Sequence, residues 1–149
     1  MDQMQLYQQI ILDHNKKPRN FGSMKECTHT SEGFNPLCGD RITVELKINS
    51  DRIIEDICFK GDGCAISLAS ASLMTMATKG KDLDTVLKIF THFQTLMKGT
   101  TLSKEAILSL GKIKVFEGVC RFPTRIKCAN LSWHTLKAAL NEKNSISTE

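Results

Sequence analysis

Arg41-Ile42-Thr43-Val44-Glu45-Leu46-Lys47-Ile48 is the stretch that decides the fold class. Ile42, Val44, Leu46 and Ile48 alternate with Arg41, Thr43, Glu45 and Lys47. A period of two presses one face of the segment onto a core and leaves the other in water, which is the pattern of a half-buried strand. Asn49-Ser50-Asp51 then turns the chain. Ile53, Ile57 and Phe59 continue as a second strand with polar Glu55 out of phase, and Gly61-Asp62-Gly63 ends it. Two such runs across a short turn predict a hairpin and an antiparallel sheet.

Helices flank this hairpin. Leu6, Ile10 and Ile11 predict a short amphipathic helix over residues 4 to 14, ending before Pro18. The Gly, Ser, Thr, Asn and Pro content of Phe21 to Gly39 reads as loop. After Cys64, the small residues Ala65, Ser67, Ala69, Ser70, Ala71 and Ser72 with Leu68, Leu73, Met74 and Met76 read as a closely packed helix stopping at Gly80, its methionines in the core. Asp82 caps a further helix carrying Leu83, Val86, Phe90, Phe93 and Met97, with Gly99 as terminator. Ser103 begins a short helix through Leu110, and Ala129, Trp133, Leu136 and Leu140 predict a closing amphipathic helix that starts near Cys128. Helix, strands, then helices indicate an α+β class: a small antiparallel β-sheet packed against helices, not a parallel βαβ fold. One domain over residues 1–149 is expected, with about 142–149 a flexible, frayed tail.

Composition narrows the function. With 41% apolar and 24% charged residues in 149, the chain is ordinary globular material and can bury a core without disulfides. A net charge of +4 and a pI of about 8.8 fall short of the basic stripe expected of a nucleic-acid binder. Met1-Asp2-Gln3-Met4-Gln5-Leu6-Tyr7-Gln8 lacks the features of a signal peptide, and no apolar run is long enough to span a membrane. Six cysteines are too few for a secreted disulfide scaffold, so thiol or metal chemistry in a reducing cytoplasm is expected.

The cysteines stand at 27, 38, 58, 64, 120 and 128 with no Cys-x-x-Cys knuckle among them. Local context sorts them. Cys27, Cys58 and Cys120 read as small packing residues, and the four histidines as surface or hydrogen-bonded groups. Cys38 lies in Asn35-Pro36-Leu37-Cys38-Gly39-Asp40, Cys64 in Gly61-Asp62-Gly63-Cys64, and Cys128 in Arg125-Ile126-Lys127-Cys128. Glycine beside a thiol permits a tight turn that exposes the sulfur. A thiol at a helix head, as expected for Cys64 and Cys128, has its anion favoured by unpaired amides and the helix dipole. With Asp40, the set offers three sulfurs and one hard oxygen, a number that suits a tetrahedral metal such as zinc.

These motifs, Asn35-Pro36-Leu37-Cys38-Gly39-Asp40, Gly61-Asp62-Gly63-Cys64-Ala65-Ile66-Ser67 and Arg125-Ile126-Lys127-Cys128-Ala129, resemble the U-type iron–sulfur assembly proteins, the NifU N-terminal, IscU and SufU family. The likeness runs from the first helix to about residue 140. IscU scaffolds have a histidine before the third cysteine where this chain has Lys127, and residues 81 to 100 form an extra capped helix of the SufU kind, so the resemblance points to the SufU branch. It implies a zinc-containing sulfur carrier that takes a persulfide sulfur from a SufS-type cysteine desulfurase and delivers it to SufBCD-type cluster assembly. Cys38, Asp40, Cys64 and Cys128 would hold zinc, Cys38 would accept the sulfur, and Arg125 would stand behind the ligands or dock the partner. The alternative within the family is a scaffold on which the same residues hold a nascent [2Fe–2S] iron–sulfur cluster. A small structural zinc module with an inert Cys38 is the third reading. Lys112, Lys114, Arg121, Arg125 and Lys127 lead into Cys128 and would frame the opening through which the partner delivers sulfur.

Overall fold

The computed structural model describes residues 2–148; Met1 and Glu149, which end the N-terminal stretch and the tail read above, lie outside it. In chain order the elements are α1 (Gln3–Lys16), β1 (His29–Asn35), β2 (Asp40–Ile48), β3 (Ile54–Asp62), α2 (Ala65–Thr78), α3 (Leu83–Met97) and α4 (Lys104–Leu110). A 3₁₀ segment (Gly111–Val119), α5 (Pro123–Leu140) and β4 (Ser145–Ser147) complete the chain. The class is α+β as the alternation predicts, with one sheet in the order β3-β2-β1-β4. β2 pairs antiparallel with both β1 and β3. Ile42, Val44, Leu46, Ile57 and Phe59 are all 0% exposed. Lys47 faces Asp56 while Ile48 faces Ile54, so Glu55 is the extra residue of a bulge. That bulge shifts the apolar phase: Ile54 is fully buried, and Ile53, which the alternation had selected, is only half-buried.

The departures from the sequence reading have physical causes. β1 lies inside the stretch read as loop, because its inward positions are Ser31, Gly33 and Asn35 in place of apolar residues. Gly33 is required there, since a Cβ would collide with Thr135 Oγ1 and come within 3.1 Å of Leu131 Cδ1 on α5. The tail expected to fray carries β4, which pairs in parallel with Glu32, Gly33 and Phe34. Three residues are too few to show a period, so pairing alone reveals this strand. α5 starts at Pro123, five positions before the expected start; proline at a first helical turn is the signal that the apolar repeat from Ala129 hides. Met74 is in the core, but Met76 is 46% exposed and is not. α3 and α4 match their expected caps: Asp82 accepts from Thr85 N at 2.8 Å and Ser103 from Ala106 N at 3.2 Å.

Small residues bring α2 onto its neighbours, as expected. Ser67, Ala69, Ser70, Ala71 and Ser72 are buried, and Ser70 Oγ donates to the Ala129 carbonyl on α5 at 2.6 Å. On α5, Trp133 is fully buried and stacks on Phe93 of α3 with centroids 5.0 Å apart. α1 is tied to α2 by His14, whose Nδ1 lies 2.7 Å from Ser72 Oγ, which also accepts the Arg19 N–H. No helix among the described residues is long and apolar enough to cross a membrane.

Burial, then the charge of Arg19, holds the His14 imidazole below its ordinary range; burial and then Lys137 do the same to His134. Both groups are more basic in the unfolded chain, so unfolding takes up protons as pH falls below the free-histidine value of about 6.5. Stability is therefore complete above that value and declines as pH drops toward the folded values. Asp13 and Asp82, whose carboxyls are lowered by hydrogen bonds from Arg19 and Thr85, act only below the ordinary carboxylate range. Melting temperature measured from neutral to mildly acid pH should fall in the histidine window, and His14→Gln should flatten that fall. An unchanged slope in His14→Gln would remove His14 from this account.

Candidate metal centre

The turn between β1 and β2 is built by two backbone bonds, since the Asn35 carbonyl accepts from Cys38 N at 3.3 Å and Gly39 N at 2.8 Å. Gly39 has φ +74°, the left-handed region open to glycine, and this lets Asp40 re-enter the sheet as the first residue of β2. Cys38 and Leu37 consequently stand exposed on the turn, whereas Asp40 is 2% exposed beneath it. Cys64 caps α2, its sulfur accepting from Ser67 N at 3.5 Å. The extended backbone of a cap points the Cys64 amide at Asp40 Oδ1, 2.9 Å away. Cys128 is buried on α5, with its sulfur 3.5 Å from that of Cys38.

The ligand atoms of Cys38, Asp40 and Cys128 all lie within 4.8 Å of one another. Cys64 Sγ stands 4.0 Å from Asp40 Oδ2, on the rim of that group. Two residues beneath the donors were not singled out from the sequence: Ser67 Oγ donates to Asp40 Oδ2 at 2.7 Å, and Asn35 Nδ2 reaches the same oxygen at 3.2 Å. Both belong to the quoted cysteine motifs, and Ser67 sits three positions after a cap, where capping partners occur. Cys58 and Cys120 are half-buried and stand outside the group, and Cys27 is exposed, contrary to its reading as a packing residue. Burial and then Glu45 push the Cys58 thiol to about 11.

The donor set fits a divalent cation. Asp40 is a buried carboxylate with no ion-pair partner among the described residues, and its donors are all neutral groups. An unpaired buried charge is costly, and a bound cation would neutralise it. The chemistry of Cys128 differs from the helix-head expectation. With α5 beginning at Pro123, Cys128 sits in the second turn, away from free amides. Burial pushes its thiol far up, and its hydrogen bonds to Cys38 and Cys64 and the charges of Cys64 and Asp40 add in the same direction. A thiol so placed is neutral on its own and becomes a thiolate only with a cation in the site. Of the two, only Cys64 stands at a helix head, as the N-cap of α2.

Arg125 lies on the first turns of α5, exposed, with its guanidinium 4.4 Å above the Phe122 ring. Tyr7, Cys120, Phe122 and Arg125 line a cavity of about 580 Å³ between α1, the 3₁₀ segment and the start of α5. Burial raises the Tyr7 hydroxyl, Arg125 lowers it, and Cys64 and Cys128 raise it, which ties this cavity electrostatically to the cysteines. Lys112, Lys114, Arg121 and Arg125 are exposed and Lys127 is half-buried; none joins an ion pair among the described residues.

The NifU-like N terminal domain model matches residues 6–129. The chain belongs to that family. It is 46% identical over 132 residues to the zinc-dependent sulfurtransferase SufU of Bacillus subtilis, covering 89% of this chain and 87% of that protein. It is 38% identical over 135 residues to the iron-sulfur cluster assembly scaffold protein IscU of Streptococcus pyogenes, with coverages of 91% and 82%. A crystal structure of a SUF-system assembly scaffold protein from Fervidobacterium islandicum superimposes with a TM-score of 0.83 at 33% identity, over 91% of this chain and 97% of that one. The fold is thus that of SufU- and IscU-like family members, as the cysteine motifs imply.

Proposed function

We propose that this chain is a zinc-dependent sulfur carrier of iron–sulfur cluster assembly, loaded by a SufS-type cysteine desulfurase and unloaded to a SufBCD-type assembly complex in the cytoplasm. The observation that carries the reading is the convergence of three thiols and one buried carboxylate, with only one sulfur, that of Cys38, on an exposed turn. The name of the Bacillus relative and its identity over most of the chain support it. Cys38, Asp40, Cys64 and Cys128 would be the zinc ligands. Zinc, when bound, keeps the thiolates deprotonated and shields them from stray electrophiles. The contiguous core supports a single domain over residues 1–149.

In the transfer itself, the Cys38 thiolate attacks the outer sulfur of the desulfurase persulfide. A sulfur–sulfur bond forms at Cys38 as the partner's breaks, the partner's cysteine leaves as a thiolate, and no external oxidant or reductant is consumed. Asp40, Cys64 and Cys128 stay behind the turn, and Arg125 on the rim steers the partner. Charged rims act chiefly on the rate of encounter.

A scaffold holding a [2Fe–2S] cluster is the second reading, favoured by the IscU relative at 38% identity and by the suitability of thiolates for iron. Metal analysis of untagged protein prepared without oxygen separates the two. The carrier is colourless with one zinc per chain. A coloured preparation with stoichiometric iron and labile sulfide would replace it with the scaffold.

A further inference from the structure

We propose that Asn35 selects the thiol that leaves the site, by anchoring Cys128 and Asp40 and leaving Cys38 unheld; the inference rests on the zinc-carrier reading. Asn35 ends β1 and is 0% exposed. Its Nδ2 lies 3.5 Å from Cys128 Sγ and 3.2 Å from Asp40 Oδ2, while its Oδ1 is buried without a partner among the described residues. The direction of the amide follows from charge, because the opposite orientation would set an oxygen against the Asp40 carboxylate. A buried, half-satisfied amide is an uncommon arrangement that calls for a reason. Here the donor end is spent on two candidate ligands and the acceptor end is sacrificed.

The other donors divide unequally. Asp40 Oδ1 receives the Cys64 amide, Cys64 Sγ receives the Ser67 amide, and Cys128 Sγ receives Asn35. Among the described residues Cys38 Sγ has no N–H donor, and its one hydrogen-bond contact is with the Cys128 thiol at 3.5 Å. That contact needs a proton which two metal-bound thiolates no longer possess. Hydrogen bonds to a ligand fix its orientation and steady its charge, so the ligand without one exchanges most easily. The Asn35 backbone also carries the Cys38 turn. One residue therefore sets a fixed half and a movable half of the site, which makes it a positioning residue that acts through the Cys128 and Asp40 ligands.

Zinc affinity, measured by chelator competition in a double-mutant cycle, tests the assignment. Asn35→Ala should weaken zinc roughly 10- to 100-fold. The same loss should persist in a Cys38→Ser background and shrink in a Cys128→Ser background, where only the Asp40 contact remains to be lost. An equal loss beside Cys128→Ser, or a loss that vanishes beside Cys38→Ser, would mean that Asn35 merely supports the turn, and overturns the proposal. If Asn35→Ala does not fold, the unmodified chain still decides. Loaded with cadmium and isotopically labelled, its Asn35 side-chain amide protons should resist exchange and couple to the metal through Cys128, and amide protons that exchange at solvent rates overturn the proposal. An unmodified chain that binds no zinc sinks the carrier reading together with this one, whereas zinc binding and sulfur uptake on Cys38 without the Asn35–Cys128 coupling sinks this inference alone.

Discussion

Chelation of the zinc-loaded chain should lower its melting temperature by more than any single core truncation. The four proposed ligands come from four places in the chain: the β1–β2 turn, the first residue of β2, the cap of α2 and the second turn of α5. A metal joining them closes a cross-link between one end of the sheet strands, α2 and α5, and neutralises Asp40. Structural zinc is worth on the order of 10 kcal/mol in small domains, against about 3–5 kcal/mol for truncating a buried aromatic such as Trp133. Binding to the folded state alone adds its full free energy to stability, so the shift should also grow with free zinc. Cys128→Ser should bind the metal far more weakly and, at equimolar zinc, melt close to the chelated chain, because its sulfur is the buried end of the cluster. Cys27→Ser and Cys120→Ser should keep both metal and melting temperature, as neither thiol belongs to the group. Metal analysis with calorimetry reads both quantities, and retention of zinc by Cys128→Ser with loss in Cys27→Ser would invert the ligand set.

The parts of the molecule that were legible in the sequence are those built on apolar repetition. β2 alternates cleanly because one face meets α5 and the other meets water, and α3 shows its repeat because one of its faces is likewise buried. β1 was not legible, since the close approach of α5 demands Ser31, Gly33 and Asn35 where a strand would ordinarily carry branched apolar residues. β4 is held by pairing with β1 and by the Thr148 N–H on the Phe34 carbonyl at 2.9 Å, neither of which leaves a mark on local composition. At the site, glycine-flanked cysteines and Asp40 announced themselves as donors. Asn35 and Ser67 did not, because a residue that orients a ligand is recognised by where its hydrogen bonds end, and both end on residues distant in the chain. The helix-head argument for Cys128 failed with the position of Pro123.

Cys38→Ala should remove sulfur acceptance while leaving the fold intact. Cys38 contributes an exposed side chain on a turn held by two backbone hydrogen bonds to the Asn35 carbonyl, so little packing is lost with its sulfur. The chemistry, by contrast, has no substitute. Cys128 is buried and Cys64 is half-buried at a helix cap, and an incoming persulfide must approach the attacking sulfur in line with its own sulfur–sulfur bond. Stimulation of a purified desulfurase should fall to background in Cys38→Ala, with secondary structure retained. Stimulation that survives the substitution would assign the acceptor elsewhere.

The central claim is that sulfur arrives on Cys38, and peptide mass spectrometry after incubation of the zinc-loaded chain with a purified cysteine desulfurase and cysteine tests it most directly. One added sulfur, removable by a thiol reductant, on the peptide containing Cys38 is the predicted result. Added sulfur confined to the Cys64 or Cys128 peptide, or no added sulfur on a chain that carries its zinc, would contradict the account.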